Sequence, residues 1–400
     1  MRSRRLRTLL AFALVLLATA VTAAYRLHHD ARIWTSDSAI YLRMALEDRG
    51  LSREEAKREA DAFMSATPEA KMPESKDFYG PHTPPFYAAQ YELFRTRPLY
   101  PRLAALLYGR LGPHGMQLIS AAAYVAASLV MLWLLTLLVP GWTAALGALA
   151  FATAPQVLSL AALPLTDELA LLFWTAALGA MLLYLRAPRP AVLVAVLAAA
   201  LLLTFTRPAA YLPFGAACGA LAVAWRAGES PARRAALALL AVTLAAGLAF
   251  AAYSFAVHGP GLTAQLRWQY DWQHTVHGFG AGGSFVRWYA AALAAALGLL
   301  LTVAVYRYAA LLPLVLAGVG LRVARRADAA LLIGAAAGAL AAIAANPLEL
   351  NRTVLLPLTP VVVILATIGL DVLFRAARAA ARDSEAGDAL AGSPDGYSPR

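Results

Sequence analysis

The chain has 400 residues, of which 60% are hydrophobic and only 14% charged, and its mean hydropathy is +0.61. Soluble domains run near a quarter charged, so this composition excludes a soluble globular protein and calls for lipid as the apolar solvent. The formal net charge of +11 falls mostly in short loops and the two tails, where membrane topology accounts for it without nucleic acid.

The first apolar run, 7–27, follows Arg2, Arg4, Arg5 and Arg7. The positive-inside bias puts that flank in the cytoplasm and the end of the run at the outer face. Ala18-Thr19-Ala20 resembles a signal-peptide cleavage site. The many apolar runs that follow favour an uncleaved span.

A long first outer loop, 28–114, opens with Trp34-Thr35-Ser36-Asp37-Ser38-Ala39-Ile40-Tyr41-Leu42. Asp37 and Tyr41 are four residues apart and share a helix face. Two readings stand. Asp37 is a general base with Tyr41 shaping its site, or Asp37 caps the helix that starts at Ser38. Residues 52–63 have the charge density of a solvated helix, and Ser52 with Glu55 forms a capping box. Tyr79-Gly80-Pro81-His82-Thr83-Pro84-Pro85 is rich in turn formers.

The stretch Arg95-Thr96-Arg97-Pro98-Leu99-Tyr100-Pro101-Arg102 then leads into an amphipathic surface helix. Leu103, Leu106 and Leu107 mark its apolar side, and Arg102 and Arg110 its polar positions. Its arginines touch either a substrate phosphate or lipid headgroups.

Further spans are expected at 115–139, 142–163, 168–185, 190–206, 209–225, 235–257, 301–321, 329–345 and 353–374. With 7–27 they make ten, an all-α polytopic membrane domain over 1–374 with both termini in the cytoplasm. The lone Cys218 lies in one of these runs and excludes a disulfide framework. Basic loops at 186–189, 226–234 and 322–326 agree with this topology.

The stretch 285–321 is too long for one span and short for two. Phe285, Arg287, Trp288 and Tyr289 predict an interfacial helix leading into a single span. A second outer loop, 258–284, ends in Gly278-Phe279-Gly280-Ala281-Gly282-Gly283. The polar tail 383–400 is expected to be disordered.

Ionisable groups at the outer ends of spans are costly to bury and point to function. Pro164-Leu165-Thr166-Asp167-Glu168 places two adjacent acids in a tight outer loop. They bind a divalent metal, a sugar or an acceptor hydroxyl, or they serve the positive end of the next helix. Arg207 and Arg352 face outward against the positive-inside trend. Each holds a phosphate or snorkels to headgroups. His274 and His277, near Trp268, Tyr270, Asp271 and Trp272, have too few ordered neighbours for a metal site. The nearby aromatics suit stacking on a sugar or anchoring at the interface.

In order and position these pieces resemble the polytopic glycosyltransferases of the C superfamily, which use polyprenyl-phosphate sugars. That family includes protein O-mannosyltransferases and the aminoarabinose transferase of lipid A. The likeness rests on Ser36-Asp37-Ser38-Ala39-Ile40-Tyr41, on Arg97-Pro98-Leu99-Tyr100-Pro101, on Thr166-Asp167-Glu168 and on Asn351-Arg352-Thr353-Val354-Leu355-Leu356-Pro357. Ser38 follows Asp37 where many members carry an Asp-Glu pair, which leaves the base role to Asp37 alone.

The resemblance implies transfer of a monosaccharide from a polyprenyl-phosphate donor to an acceptor hydroxyl outside the membrane, with inversion. Asp37 would be the base. Tyr41, Arg97, Tyr100, Asp167, Glu168, Arg207 and Arg352 would bind substrate, with no metal required. The acceptor is a glycan, lipid or protein. High alanine and arginine usage points to a GC-rich bacterial genome and so to a bacterial plasma membrane. Two other classes remain open: a lipid-linked transporter or flippase, with charges at mid-membrane, and a polymer ligase leaning on Arg267, His274 and His277.

Overall fold

A computed structural model describes residues 2–67, 90–228, 230–276, 284–306 and 308–391. Among these residues there is no strand, and the protein is an all-helical, multi-pass membrane protein. Seven helical stretches are long and apolar enough to cross a bilayer, and Gly141–Ala152, Pro190–Thr206 and Leu311–Val323 are shorter apolar helices.

Helix α1 (Arg2–His29) leads to a small helical layer made by α2 (Ser36–Asp48), α3 (Arg53–Ala66) and α4 (Leu99–Leu111). The bundle follows: α5 (Gly115–Thr136), α6 (Gly141–Ala152), α7 (Asp167–Arg186), α8 (Pro190–Thr206), α9 (Tyr211–Ala227) and α10 (Ser230–Ala256). Helix α11 (Leu262–Val276) occupies the second long loop, before α12 (Phe285–Tyr306), α13 (Tyr308–Val323), α14 (Arg326–Ala345) and α15 (Leu356–Ala391). A π turn, Asn351–Leu355, joins α14 to α15.

Local chemistry explains the helix boundaries near the head of the bundle. The capping box of α3 pairs Ser52 with Glu55, as the sequence predicts. Gly112, at φ 58°, and Pro113 end α4 and turn the chain into α5, which makes α4 a separate helix. Trp34, Ile40, Tyr41, Phe94 and Tyr100 of the head layer share a core with Met116 and Ile119 of α5 and Leu169 of α7. That core fixes the layer over the ends of the spans.

The tightest seam joins α9 to α14. Gly215 and Gly219 of α9 face Gly334 and Gly338 of α14, and a Cβ on Gly219 would overlap the Ala330 carbonyl. Small residues four apart let two backbones meet, which drives helix association where lipid removes the hydrophobic force.

Three expectations change. The run 142–163 is not one helix: α6 ends at Ala152, and Pro155 starts only the short turn Pro155–Leu158. Proline removes a donor there and breaks the ladder. The stretch 285–321 forms two helices, α12 and α13, rather than a surface helix and one span, and Phe285–Thr302 is itself of membrane length. The last helix runs on to Ala391, past the start of the tail expected to be disordered. Alanine-rich sequence continues the helix at little cost. The turn-rich segment 79–85, His277, the glycine run 278–283 and residues 392–400 lie outside the described residues.

Candidate active site

The head of the bundle carries an ion cluster built from four separate parts of the chain. Helix α2 supplies Asp37, the start of α7 supplies Asp167, the end of α8 supplies Arg207, and the π turn supplies Arg352. The π turn has a local cause. Pro357 and Pro360 offer no N–H to the preceding turn, so the chain enters α15 with a wider winding.

Arg352 is the hinge of the cluster. Its Nη1 donates to Asp37 Oδ2 at 2.8 Å, and its Nη2 donates to Asp167 Oδ2 at 2.6 Å. Its Nε bonds both Asp167 oxygens, at 3.0 and 3.1 Å. Arg207 donates to Asp167 Oδ1 from the other side. The Asp167 side chain is fully buried (0% exposed), and two guanidiniums compensate its charge. Glu349, 45% exposed, stands at 3.8 Å from Arg207 and 3.6 Å from Arg352.

Asp37 is not a helix cap. Thr35 caps α2, its hydroxyl accepting from the Ser38 N–H while Ser38 Oγ accepts from the Thr35 N–H. The Asp37 carboxylate is therefore left to face the cleft, where Gln90 Nε2 donates to Oδ1 at 2.9 Å.

Arg97 lies beside this pair. Its Nη1 donates to the Tyr41 hydroxyl at 3.1 Å, and its guanidinium covers the Phe94 ring at 4.3 Å. Burial works against the charge on Arg97, yet the Tyr41 hydroxyl and the Asp37 carboxylate outweigh it and hold its pKa above the ordinary value. The Tyr41 hydroxyl also lies 3.3 Å from Thr166 Oγ1, so Thr166 meets α2 through its side chain rather than capping α7 with it.

A cleft of about 240 Å³ opens over these groups. Asp37, Arg97, Arg207 and Glu349 line it, together with Trp268 and Gln269 of α11. Helix α11 lies in the loop in which the sequence marks Trp268 among aromatics.

Not every sequence candidate reaches the cleft. Tyr100 is buried beneath it, donating to the Met116 carbonyl at 2.8 Å and packing edge-on against Tyr41. Glu168 is buried on α7, and neither of its oxygens has a hydrogen-bond partner among the described residues. The Asp167 oxygens are taken by the Arg207 and Arg352 guanidiniums. Among the described residues no three His, Cys, Asp or Glu side chains cluster as metal ligands. Gln90, Gln269 and Glu349 join the site without a sequence motif of their own. Only Glu349 carries a hint, three residues before Arg352 in a polar loop between apolar runs.

Depth along the bundle separates two charged layers. Asp167 begins α7 and Arg186 ends it, and Arg186 pairs with Asp328 at the start of α14. Helix α7 has 20 residues, so the two layers lie roughly 30 Å apart at 1.5 Å per residue. The ion cluster sits at the end of membrane-length helices, not at their middle.

Compared with protein-family models, with curated proteins and with solved structures, the chain matches none.

Proposed function

We propose that the protein transfers a monosaccharide from a polyprenyl-phosphate sugar to an acceptor hydroxyl, on the outer side of a bacterial plasma membrane. The observation that carries this reading is the Arg352 bridge between Asp37 and Asp167 beside a cleft that Asp37 lines. It gathers a carboxylate and cations where a lipid-borne phosphate and a water-borne acceptor meet. The basic flank of α1 supports cytoplasmic termini and an outward cleft.

The acceptor oxygen attacks the anomeric carbon and gives its proton to Asp37. The bond from that carbon to the phosphate oxygen breaks, the configuration inverts, and the polyprenyl phosphate leaves with the electron pair. A base must come within about 3 Å of the proton it removes. Asp37 is at the cleft wall with its oxygens held by Gln90 and Arg352. The entering phosphate competes for Arg352 Nη1, and that exchange frees an Asp37 lone pair for the proton. Arg207, Arg352 and Arg97 stabilise the charge that grows on the leaving phosphate. Asp167 takes no proton; it is the fixed counter-charge that aims Arg207 and Arg352. The two charged layers at opposite helix ends support this scheme over a transporter, which would keep charges near mid-membrane.

The test is transfer of label from a radiolabelled polyprenyl-phosphate sugar in membranes. Asp37→Asn should express and fold while losing transfer by about 1,000-fold, within the range for a positioned base. Near-normal turnover would remove Asp37 from the chemistry.

A further inference from the structure

The two guanidiniums that hold Asp167 each turn one nitrogen elsewhere. Arg352 gives Nε and Nη2 to Asp167 and leaves Nη1 to Asp37 and Glu349. Arg207 gives Nη1 to Asp167 and turns Nη2 to Glu349. One carboxylate therefore straddles both: Glu349 Oε2 lies 3.8 Å from Arg207 Nη2, and Oε1 lies 3.6 Å from Arg352 Nη1. Placement in the cleft agrees. Asp37, Arg207 and Glu349 line it, and Arg352, which pairs with both acids, does not. An anion that is to take Arg207 Nη2 and Arg352 Nη1 together has to come where Glu349 stands.

The two acids are held unequally. The Asp37 side chain is 13% exposed and accepts from Gln90 at 2.9 Å and from Arg352 at 2.8 Å. The Glu349 side chain is 45% exposed, and both of its guanidinium contacts exceed hydrogen-bond range. The Asn346 amide donates to its Oε2 at 3.4 Å. The Glu349 backbone is firm, since the Thr353 N–H and hydroxyl both donate to its carbonyl, at 2.9 and 2.6 Å. Glu349 thus combines a fixed root with a loosely held head. Its carboxylate offers arginine the same anionic oxygens as a phosphate, and a phosphate brought into hydrogen-bond range is the stronger partner.

We propose that Glu349 is the tethered occupant of the phosphate seat: its carboxylate faces Arg207 Nη2 and Arg352 Nη1 until the donor phosphate displaces it. The inference rests on the phosphate-binding role proposed above for Arg207 and Arg352, and adds the residue that sets affinity there. Glu349 weakens donor binding, and its return to the arginines hastens release of the polyprenyl phosphate product.

The experiment measures dissociation constants for the detergent-purified full-length chain by calorimetry. The probes are a short isoprenyl phosphate, the matching isoprenyl alcohol, and a short-chain phosphatidylglycerol as a headgroup phosphate. Glu349→Gln should bind the isoprenyl phosphate about tenfold tighter than the unaltered protein, the worth of two half-exposed ion pairs. The alcohol should bind equally to both. Glu92→Gln is the control, an acid of similar exposure that pairs with Arg53 and Arg95 outside the cleft. It should leave phosphate affinity within about twofold, because a charge not in contact is screened. Should Glu349→Gln fail to fold, Glu349→Ala makes the same comparison.

Unchanged or weaker phosphate binding in the Glu349 variant makes Glu349 a support of the seat and overturns the competition, while the phosphate seat stands. Equal tightening in Glu92→Gln, or tighter binding of the alcohol, overturns it as well. Phosphatidylglycerol bound as tightly as the isoprenyl phosphate assigns the seat to headgroups and overturns the donor. No phosphate binding by the unaltered protein or the variant overturns the proposed function together with this inference.

Discussion

Arg352 and Asp37 meet at 2.8 Å although 315 positions separate them in the chain. The contact closes the ring of elements around the cleft, because one partner rides on the first helix of the head layer and the other on the entry to the last span. Arg352→Lys keeps the charge but loses the fork that serves both carboxylates. Transfer should fall about 100-fold, the loss expected for one stabilising donor. Turnover within threefold of the unaltered protein would mean that the fork is not used.

Asp167 is expected to matter differently. Asp167→Ala leaves Arg207 and Arg352 facing each other without their shared counter-charge. Breaking such a buried cluster costs about 3–5 kcal/mol. Thermal unfolding in detergent should show a clear drop for Asp167→Ala and little change for Asp37→Asn. Equal midpoints for the two variants would contradict the division into a positioning acid and a reacting one.

Tyr41 offers a milder perturbation. Tyr41→Phe removes the hydroxyl that receives Arg97 Nη1 while the ring stays packed on Phe94, 5.0 Å between centroids. Arg97 loses its aim, and KM for the lipid donor should rise about tenfold, the equivalent of one hydrogen bond to a charged group. A fall in kcat with KM unchanged would instead place Tyr41 in the chemical step.

Much of this site was legible because charge inside an apolar chain is conspicuous. Asp37, Asp167, Arg207 and Arg352 stand at the ends of hydrophobic runs, and the fold brings those ends together. Adjacent residues were harder. Asp167 and Glu168 differ by about 100° around α7, and sequence does not say which face meets the arginines. The role of Asp37, base or cap of α2, was equally ambiguous, and Thr35, which caps the helix, was not among the candidates although threonine caps well. Gln90 and Gln269 carry no periodicity and no charge, so only the folded chain reveals them. Span boundaries failed where proline or weak amphipathicity intervened, at 142–163 and 285–321.

The cap gives a further check. Thr35→Ala removes the side-chain acceptor for the Ser38 N–H and should cost about 1 kcal/mol. Asp37→Ala should leave the cap of α2 intact. Amide hydrogen exchange over 36–41 should quicken in Thr35→Ala alone; faster exchange in Asp37→Ala would return the capping role to Asp37.

Packing between α9 and α14 is open to substitution as well. Gly219→Leu forces a branched side chain into the Ala330 carbonyl and should destabilise by about 1–3 kcal/mol through overpacking. A melting curve in detergent reads this directly, and an unchanged midpoint would show that the two backbones do not touch.

That glycine seam also governs how the protein opens. Where main chains abut there is no layer of side chains to absorb sliding, so α9 and α14 travel as a single strut. Arg207, just before α9, and Glu349, just after α14, keep their spacing through any such travel. The α11 wall is tied to the same strut, because Gln269 Nε2 donates to the Ala345 carbonyl at the end of α14, so the cleft is braced by α9, α14 and α11 together.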